Sequence, residues 1–292
     1  MKTLLLILIS LRPKQWIKNG FIFAALIFSL NLFHLEKLVA SIVAFCIFCF
    51  ISGSVYLFND LFDIEEDRKH SKKCHRPLAS GRLSPKIAKI AIFIVLFVSL
   101  MVSFLLMNIR FTVIGLGYLA IQIGYSIWLK RIVILDILAI ASGFAIRVLA
   151  GALAIDVPPS YWLLICTVFV SLFLALGKRR HEFVLLGENA REHRGVLEEY
   201  NTSLLDQMIS IVTAGTLISY SFFTLAPETV SRFNTKRLAL TIPIVLYGIF
   251  RYLYLVYRKE EGGSPESMLL EDKPLLATLV IYGIVVAIII YF

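Results

Sequence analysis

Residues 59–67 read Asn-Asp-Leu-Phe-Asp-Ile-Glu-Glu-Asp and follow directly on an apolar run long enough to cross a membrane. Asp60, Asp63 and Asp67 are spaced i, i+3, i+7, so a helix continued from that run carries all three carboxylates on one face, with Asn59 beside Asp63. Carboxylates crowded in this way repel one another until a cation joins them. A hard divalent ion takes oxygen ligands and keeps positions open for the oxygens of a diphosphate. Asn59, Asp60, Asp63 and Asp67 are therefore read as metal ligands, with Asp60 and Asp63 essential for turnover. A solvated acidic helix end is the plainer alternative. It accounts for the charge but not for the spacing.

Downstream the sign of charge inverts, with Arg68, Lys69, Lys72, Lys73, Arg76 and Arg82 in close succession. An acidic tray beside a basic rim suits a phosphorylated ligand, with metal on one side of it and cations on the other. The alternative for any one of these bases is a loop touching anionic lipid.

The elements that must hold these groups are read from hydropathy. The chain has 292 residues, is 59% hydrophobic and only 17% charged, and has a mean hydropathy of +0.83, which excludes a soluble domain. At about 20 apolar residues per crossing, nine spans are expected. They run 16–33, 38–58, 90–107, 111–129, 132–155, 161–177, 208–226, 238–257 and 275–292, with Lys18 and Arg251 interrupting the first and eighth. Of the 29 lysines and arginines, 22 fall on the side that holds the N-terminus and 5 on the other, which makes the N-terminus cytoplasmic and leaves Phe292 outside. Residues 1–292 are thus read as one multi-pass catalytic domain in the inner membrane.

The long connections, 59–89 and 178–206, both lie on the cytoplasmic side and are expected to form its polar cap. They follow the second and sixth spans, four helices apart, as two four-helix halves would place them. Met1 to Ser10 reads as a short interfacial helix, with Pro13 at a helix start. Cys46, Cys49 and Cys166 fall within spans and are read as buried small hydrophobes.

The run Asn59-Asp60-x-x-Asp63-x-x-x-Asp67, with His70, Lys73, Arg76-Pro77 and Ser80-Gly81 after it, resembles the first signature of the UbiA superfamily of intramembrane prenyltransferases. The resemblance extends over most of the chain. It implies a nine-helix bundle, a Mg²⁺-bound diphosphate leaving at the cytoplasmic mouth, and a lipid chain lying between helices. Members that prenylate aromatic acceptors carry a second aspartate-rich motif after the sixth helix. Here that place holds Lys178, Arg179 and Arg180; Glu188 and Glu192 further on, an i, i+4 pair, offer a partial substitute for metal binding. With Arg12-Pro13-Lys14-Gln15-Trp16-Ile17-Lys18-Asn19, Tyr125-Ser126-x-x-Leu129-Lys130 and the stretch from Asp136 to Arg147, the pattern is similar to the decaprenyl-phosphate phosphoribosyltransferase branch.

That branch moves ribose 5-phosphate from phosphoribosyl diphosphate (PRPP) to a polyprenyl phosphate. The resemblance implies phosphate or substrate contacts from Lys14, Gln15, Lys18, Asn19, Lys73, Arg76, Tyr125, Lys130, Arg147, Lys178, Arg179 and Arg180. One acidic tray with several basic clusters suits two phosphorylated substrates better than two trays would. The acceptor is already an anion, so no strong general base is needed, and no nucleic-acid partner is expected. A prenyltransferase with another acceptor and a non-catalytic carrier are the competing readings, although a carrier places its ionisable groups near the midplane.

Asp136 and Arg147 lie eleven residues apart on the fifth span, roughly 16 Å along one helix face. An unpaired charge at that depth costs at least ~2.5 kcal/mol, so Arg147 should face a cavity or a partner. Asp136 is expected to hold sugar hydroxyls or to stabilise positive charge developing on carbon. A structural polar contact is the alternative for both, and the first choice for Arg251.

Overall fold

The computed structural model describes residues 2–70, 73–186, 199–259 and 265–292, and the regular structure among them is entirely helical. The helices are α1 (Lys2–Ser10), α2 (Phe23–Phe28), α3 (Leu35–Phe62), α4 (Ile64–Lys69), α5 (Pro85–Leu106), α6 (Ile109–Ile127), α7 (Leu135–Ala154) and α8 (Tyr161–Leu186). Then come α9 (Thr202–Leu225), α10 (Pro227–Phe233), α11 (Ile242–Arg258), α12 (Pro265–Glu271) and α13 (Lys273–Tyr291). Two compact units emerge, Met1–Pro159 and Ser160–Phe292. Among the described residues each holds four long helices: α3, α5, α6 and α7 in the first, α8, α9, α11 and α13 in the second.

Among the described residues, seven helices are long and apolar enough to cross a membrane, namely α3, α5, α7, α8, α9, α13 and Arg237–Arg258, which contains α11. Two of the nine expected spans differ. Helix α6 forms where expected, carrying Arg110 and Gln122, but is not among the seven. The segment expected as the span 16–33 is no continuous α-helix: Pro13–Ile22 winds as a 3₁₀ helix, α2 adds six residues, and Leu30 turns out at φ 62°. The reason is visible in its polar residues. Gln15, Lys18 and Asn19 suit contacts with protein better than lipid, and Asn19 is fully buried against α3 and α7.

In the first unit α3 is the central element. Its 28 residues span about 42 Å, more than the ~30 Å hydrocarbon thickness, so one end must project beyond it. Ile47, Phe48, Ile51 and Val55 on α3 meet Phe111, Tyr118 and Leu119 of α6 and Ala150 of α7. A second cluster near the acidic end of α3 joins Leu57 to Leu78 and Leu83 of the following loop and to Ala88 and Ala91 of α5, with Leu6 and Ile7 of α1 packed on it. This cluster fixes the loop, because Leu78, Ala79 and Leu83 bury their side chains there. Gly81 supplies the left-handed corner at φ +73° that lets the chain turn back. Ser84 caps α5 by accepting the Ile87 N–H at 3.3 Å.

In the second unit, Arg251 is structural, as expected. Its guanidinium forks onto Asp272 at 3.1 and 2.7 Å, and the same carboxylate caps α13 by accepting the Leu275 N–H. Cys49 is buried and Cys166 half-buried, but Cys46, read as a buried hydrophobe, is exposed on the surface of α3.

Candidate active site

The acidic signature does not continue α3 in one piece. The helix ends at Phe62, Asp63 sits at a corner with φ −98° and ψ 18°, and α4 starts at Ile64. At that corner the Asp63 carboxylate accepts from Lys130 Nζ at 2.6 Å and from Asn59 Nδ2 at 3.0 Å. The backbone path stays nearly helical, since Asp63 N–H donates to Asn59 O and Asp67 N–H to Asp63 O. Asp60 and Asp67 consequently keep one face, and Asp63 turns aside.

Acid and base are interleaved, where the sequence suggested a tray with a separate rim. Arg76 Nη1 bridges Asp60 at 3.0 Å and Asp67 at 2.6 Å, and Arg12 pairs with Asp60 from 48 residues earlier in the chain. Lys130 completes the set on Asp63 and lies over the Phe62 ring, 5.4 Å from its centre. Asp60 and Asp67 are only 2% and 3% exposed, so their charges require these partners. Three carboxylates thus face three bases, and the local charge is balanced.

Each base arrives on its own device. Arg76 precedes Pro77 in the loop anchored by Leu78 and Leu83, where Ser80 Oγ donates to the Arg76 carbonyl at 2.7 Å and Arg68 Nε to the Ala79 carbonyl at 3.2 Å. Lys130 lies in the 3₁₀ turn Leu129–Arg131 between α6 and α7, and is itself buried. Arg12 occupies a left-handed corner at φ 52°, ψ 64°, and its guanidinium lies 5.1 Å from the centre of the Tyr56 ring.

The other expected residues divide. Lys14 and Lys73 are exposed, while Gln15, Lys18 and Tyr125 are half-buried. Asp136 is completely buried in the first turn of α7. Asn19 and Arg147, expected at phosphate, engage each other: Arg147 Nε donates to Asn19 Oδ1 at 2.7 Å. In the second unit Lys178 is exposed, and Arg179 is buried with Glu182 at 2.6 Å. Arg180 meets Asp206 at 2.7 Å and stacks over the Tyr257 ring. Glu188 and Glu192 lie outside the described residues. Arg12 and Tyr118 are the participants that motif reading did not assign. The pairing of Arg12 with a site 48 residues away leaves no local signal, although an arginine just before Pro13 marks a corner.

Residues 20–271 match the UbiA prenyltransferase family. The chain belongs to that family. Among relatives, the decaprenyl-phosphate phosphoribosyltransferase of Corynebacterium glutamicum is 32% identical over 287 residues, covering 96% of this chain and 85% of that protein. The enzyme of the same name from Mycolicibacterium smegmatis is 31% identical over 279 residues, 91% of this chain and 86% of that one. The fold is similar to a UbiA homolog from Archaeoglobus fulgidus bound to GPP and Mg²⁺, with a TM-score of 0.71, 19% identity, and coverage of 98% and 96% of the two chains.

A divalent ion is plausible for this UbiA member, and the donor set agrees in kind. Asn59, Asp60, Asp63 and Asp67 offer hard oxygen donors and no soft ones, as Mg²⁺ prefers. Among the described residues no three His, Cys, Asp or Glu side chains converge on one cation position. The carboxylates are engaged by bases instead.

Proposed function

We propose that this UbiA protein transfers the 5-phosphoribosyl group of PRPP to a polyprenyl phosphate of decaprenyl type and releases diphosphate. The balanced cluster of Asp60, Asp63 and Asp67 with Arg12, Arg76 and Lys130 carries this reading. The names of the two actinobacterial relatives, each alike over most of the chain, support the choice of substrates. The reading treats residues 1–292 as one multi-pass domain of nine crossings in the inner membrane, counting α6 and the 16–33 segment. The site and the loops 59–89 and 178–206 are cytoplasmic, and the C-terminus lies outside.

In this reading Asn59, Asp60, Asp63 and Asp67 hold Mg²⁺, which neutralises charge on the departing diphosphate. An oxygen of the lipid phosphate bonds to ribose C1 as the bond from C1 to the diphosphate oxygen breaks, and the bonding pair leaves with the diphosphate. Arg12, Arg76 and Lys130 stand within reach of a diphosphate seated at those carboxylates and stabilise its growing charge. The acceptor oxygen is already anionic, so no side chain need remove a proton. Lys14, Lys18 and Lys73 remain as contacts for the outlying phosphates, and Asp136 for the sugar. The cations at 178–180 take the place of a second acidic motif.

The test uses purified protein in lipid nanodiscs. PRPP with decaprenyl phosphate and Mg²⁺ should release diphosphate, and chelation by EDTA should stop it. Release from a prenyl diphosphate with an aromatic acid, and none from PRPP, would establish the prenyltransferase reading that the GPP-bound neighbour favours.

A further inference from the structure

The 3₁₀ segment Pro13–Ile22 begins one residue after Arg12, the base on Asp60, and ends against α7. We propose that Arg147 and Asn19 form a buried latch that seats this segment and thereby positions Arg12 on Asp60, neither residue touching phosphate. This rests on the reading of the Asp60 cluster as a site for diphosphate.

Two features show that the segment is held from outside. Its ten residues exceed the three or four that such helices usually sustain. Arg12 adopts a left-handed conformation that costs an L-residue roughly 1–2 kcal/mol, and such corners persist only where their surroundings over-determine them.

Three grips do so. Before the corner, Leu11 is buried, its carbonyl accepts the Trp16 indole N–H at 3.0 Å, and it lies so close to α3 that a Cβ on Gly53 would stand 3.1 Å from it. After the segment, a Cβ on Gly151 of α7 would fall 2.0 Å from the Ile22 carbonyl oxygen, an approach that only glycine permits. Between them is the latch. Asn19 Nδ2 donates to Ser52 Oγ at 3.1 Å and Cys49 Sγ at 3.3 Å on α3, while its Oδ1 accepts from Arg147 on α7.

The guanidinium suits this role. Besides Asn19 it donates to the Gly143 carbonyl at 2.8 Å and the Tyr118 hydroxyl at 2.8 Å, three acceptors in three directions, and it lies 4.8 Å from the centre of the Tyr118 ring. A lysine supplies the same charge but not the planar fork. Arg147 therefore ties α6, α7 and the segment together at one point, and Asn19 extends the tie to α3.

The test is a double-mutant cycle on protein in nanodiscs, read by calorimetric binding of inorganic diphosphate with Mg²⁺. That anion is the leaving group for a phosphoribosyl or a prenyl donor alike, so failure of PRPP turnover does not disturb the measurement. Arg12→Gln is expected to weaken diphosphate binding about tenfold, Asn19→Ala and Arg147→Lys to do the same, and Arg12→Gln/Asn19→Ala to bind no worse than Arg12→Gln alone. The Trp16 ring packs edge-on against Phe50 of α3, centre to centre 5.7 Å, so in a Trp128→Phe/Trp162→Phe background its fluorescence should shift red in Asn19→Ala and Arg147→Lys as the segment lifts from α3. Asn19→Asp keeps the size, gives Arg147 an anion and can accept from the Ser52 hydroxyl and the Cys49 thiol where the amide had donated to them, so it should retain the parent's Trp16 spectrum and affinity and guards against a misfolded alanine variant. Losses that multiply in the double mutant, weakened binding with an unmoved Trp16, or Arg12→Gln binding like the parent would each overturn the latch.

Discussion

Asp60→Asn is expected to lower turnover by at least about a thousandfold while the protein still folds, which follows from what the carboxylate does at once for its neighbours. It accepts from Arg12 and Arg76 in a position only 2% exposed, and asparagine keeps its size while removing its charge. Both guanidiniums then lose an anion, and a divalent ion loses a ligand. The arginine side chains are 26% and 23% exposed, so each can turn toward water, and the loss of stability should be smaller than for a fully enclosed pair. Diphosphate release and the thermal unfolding midpoint, measured on one preparation, separate the two effects. Turnover near that of the parent would remove Asp60 from the metal site.

Gly151→Ala should produce the largest loss of stability of any single methyl group added to the first unit. The new Cβ would stand 2.0 Å from the Ile22 carbonyl oxygen and 2.8 Å from its carbon, and backbone cannot swing aside as a side chain can. Either α7 or the 13–22 segment must move, so the cost should reach or exceed the ~1–3 kcal/mol typical of overpacked cores. Gly20→Ala is the control, since a Cβ there meets nothing within 4 Å. Unfolding midpoints in one detergent decide the matter. If the two variants melt together, the close approach does not exist in the folded protein.

Much of this was legible in the sequence because lipid imposes simple rules. Runs of leucine, isoleucine and phenylalanine located the long helices, although α8 runs on to Leu186 where an end at 177 was expected, α9 starts at Thr202 and not at 208, and α3 ends inside the acidic motif, at Phe62, where a continued helix was expected. The spacing of Asp60, Asp63 and Asp67 pointed to one acidic face; Asp60 and Asp67 do share Arg76, but Asp63 turns to Lys130. The partners of that cluster were not legible. Nothing local to Asp60 announces Arg12, and Lys130 finds Asp63 across 67 residues. Apolar content gave no sign that 16–33 would wind as a 3₁₀ stretch followed by a short α-helix, nor that Asn19 within it would be buried against α3 and α7. Arg147 illustrates the same limit. Its depth announced the need for a cavity or a partner, with a substrate phosphate or a structural contact both open, and three groups of the protein itself accept from it.

The separations along the chain bear on how the protein is made. Arg76 reaches Asp67 from nine residues away, but Arg12 and Asp60 are 48 apart, Lys130 and Asp63 are 67 apart, and Arg147 and Asn19 are 128 apart. A nascent chain whose first helices have entered the bilayer still carries Asp63 without its lysine and Asn19 without its arginine. Only after α7 has emerged and docked are these charges and amides satisfied. Insertion and assembly are thereby separate events for this unit, and competence for chemistry reports the second.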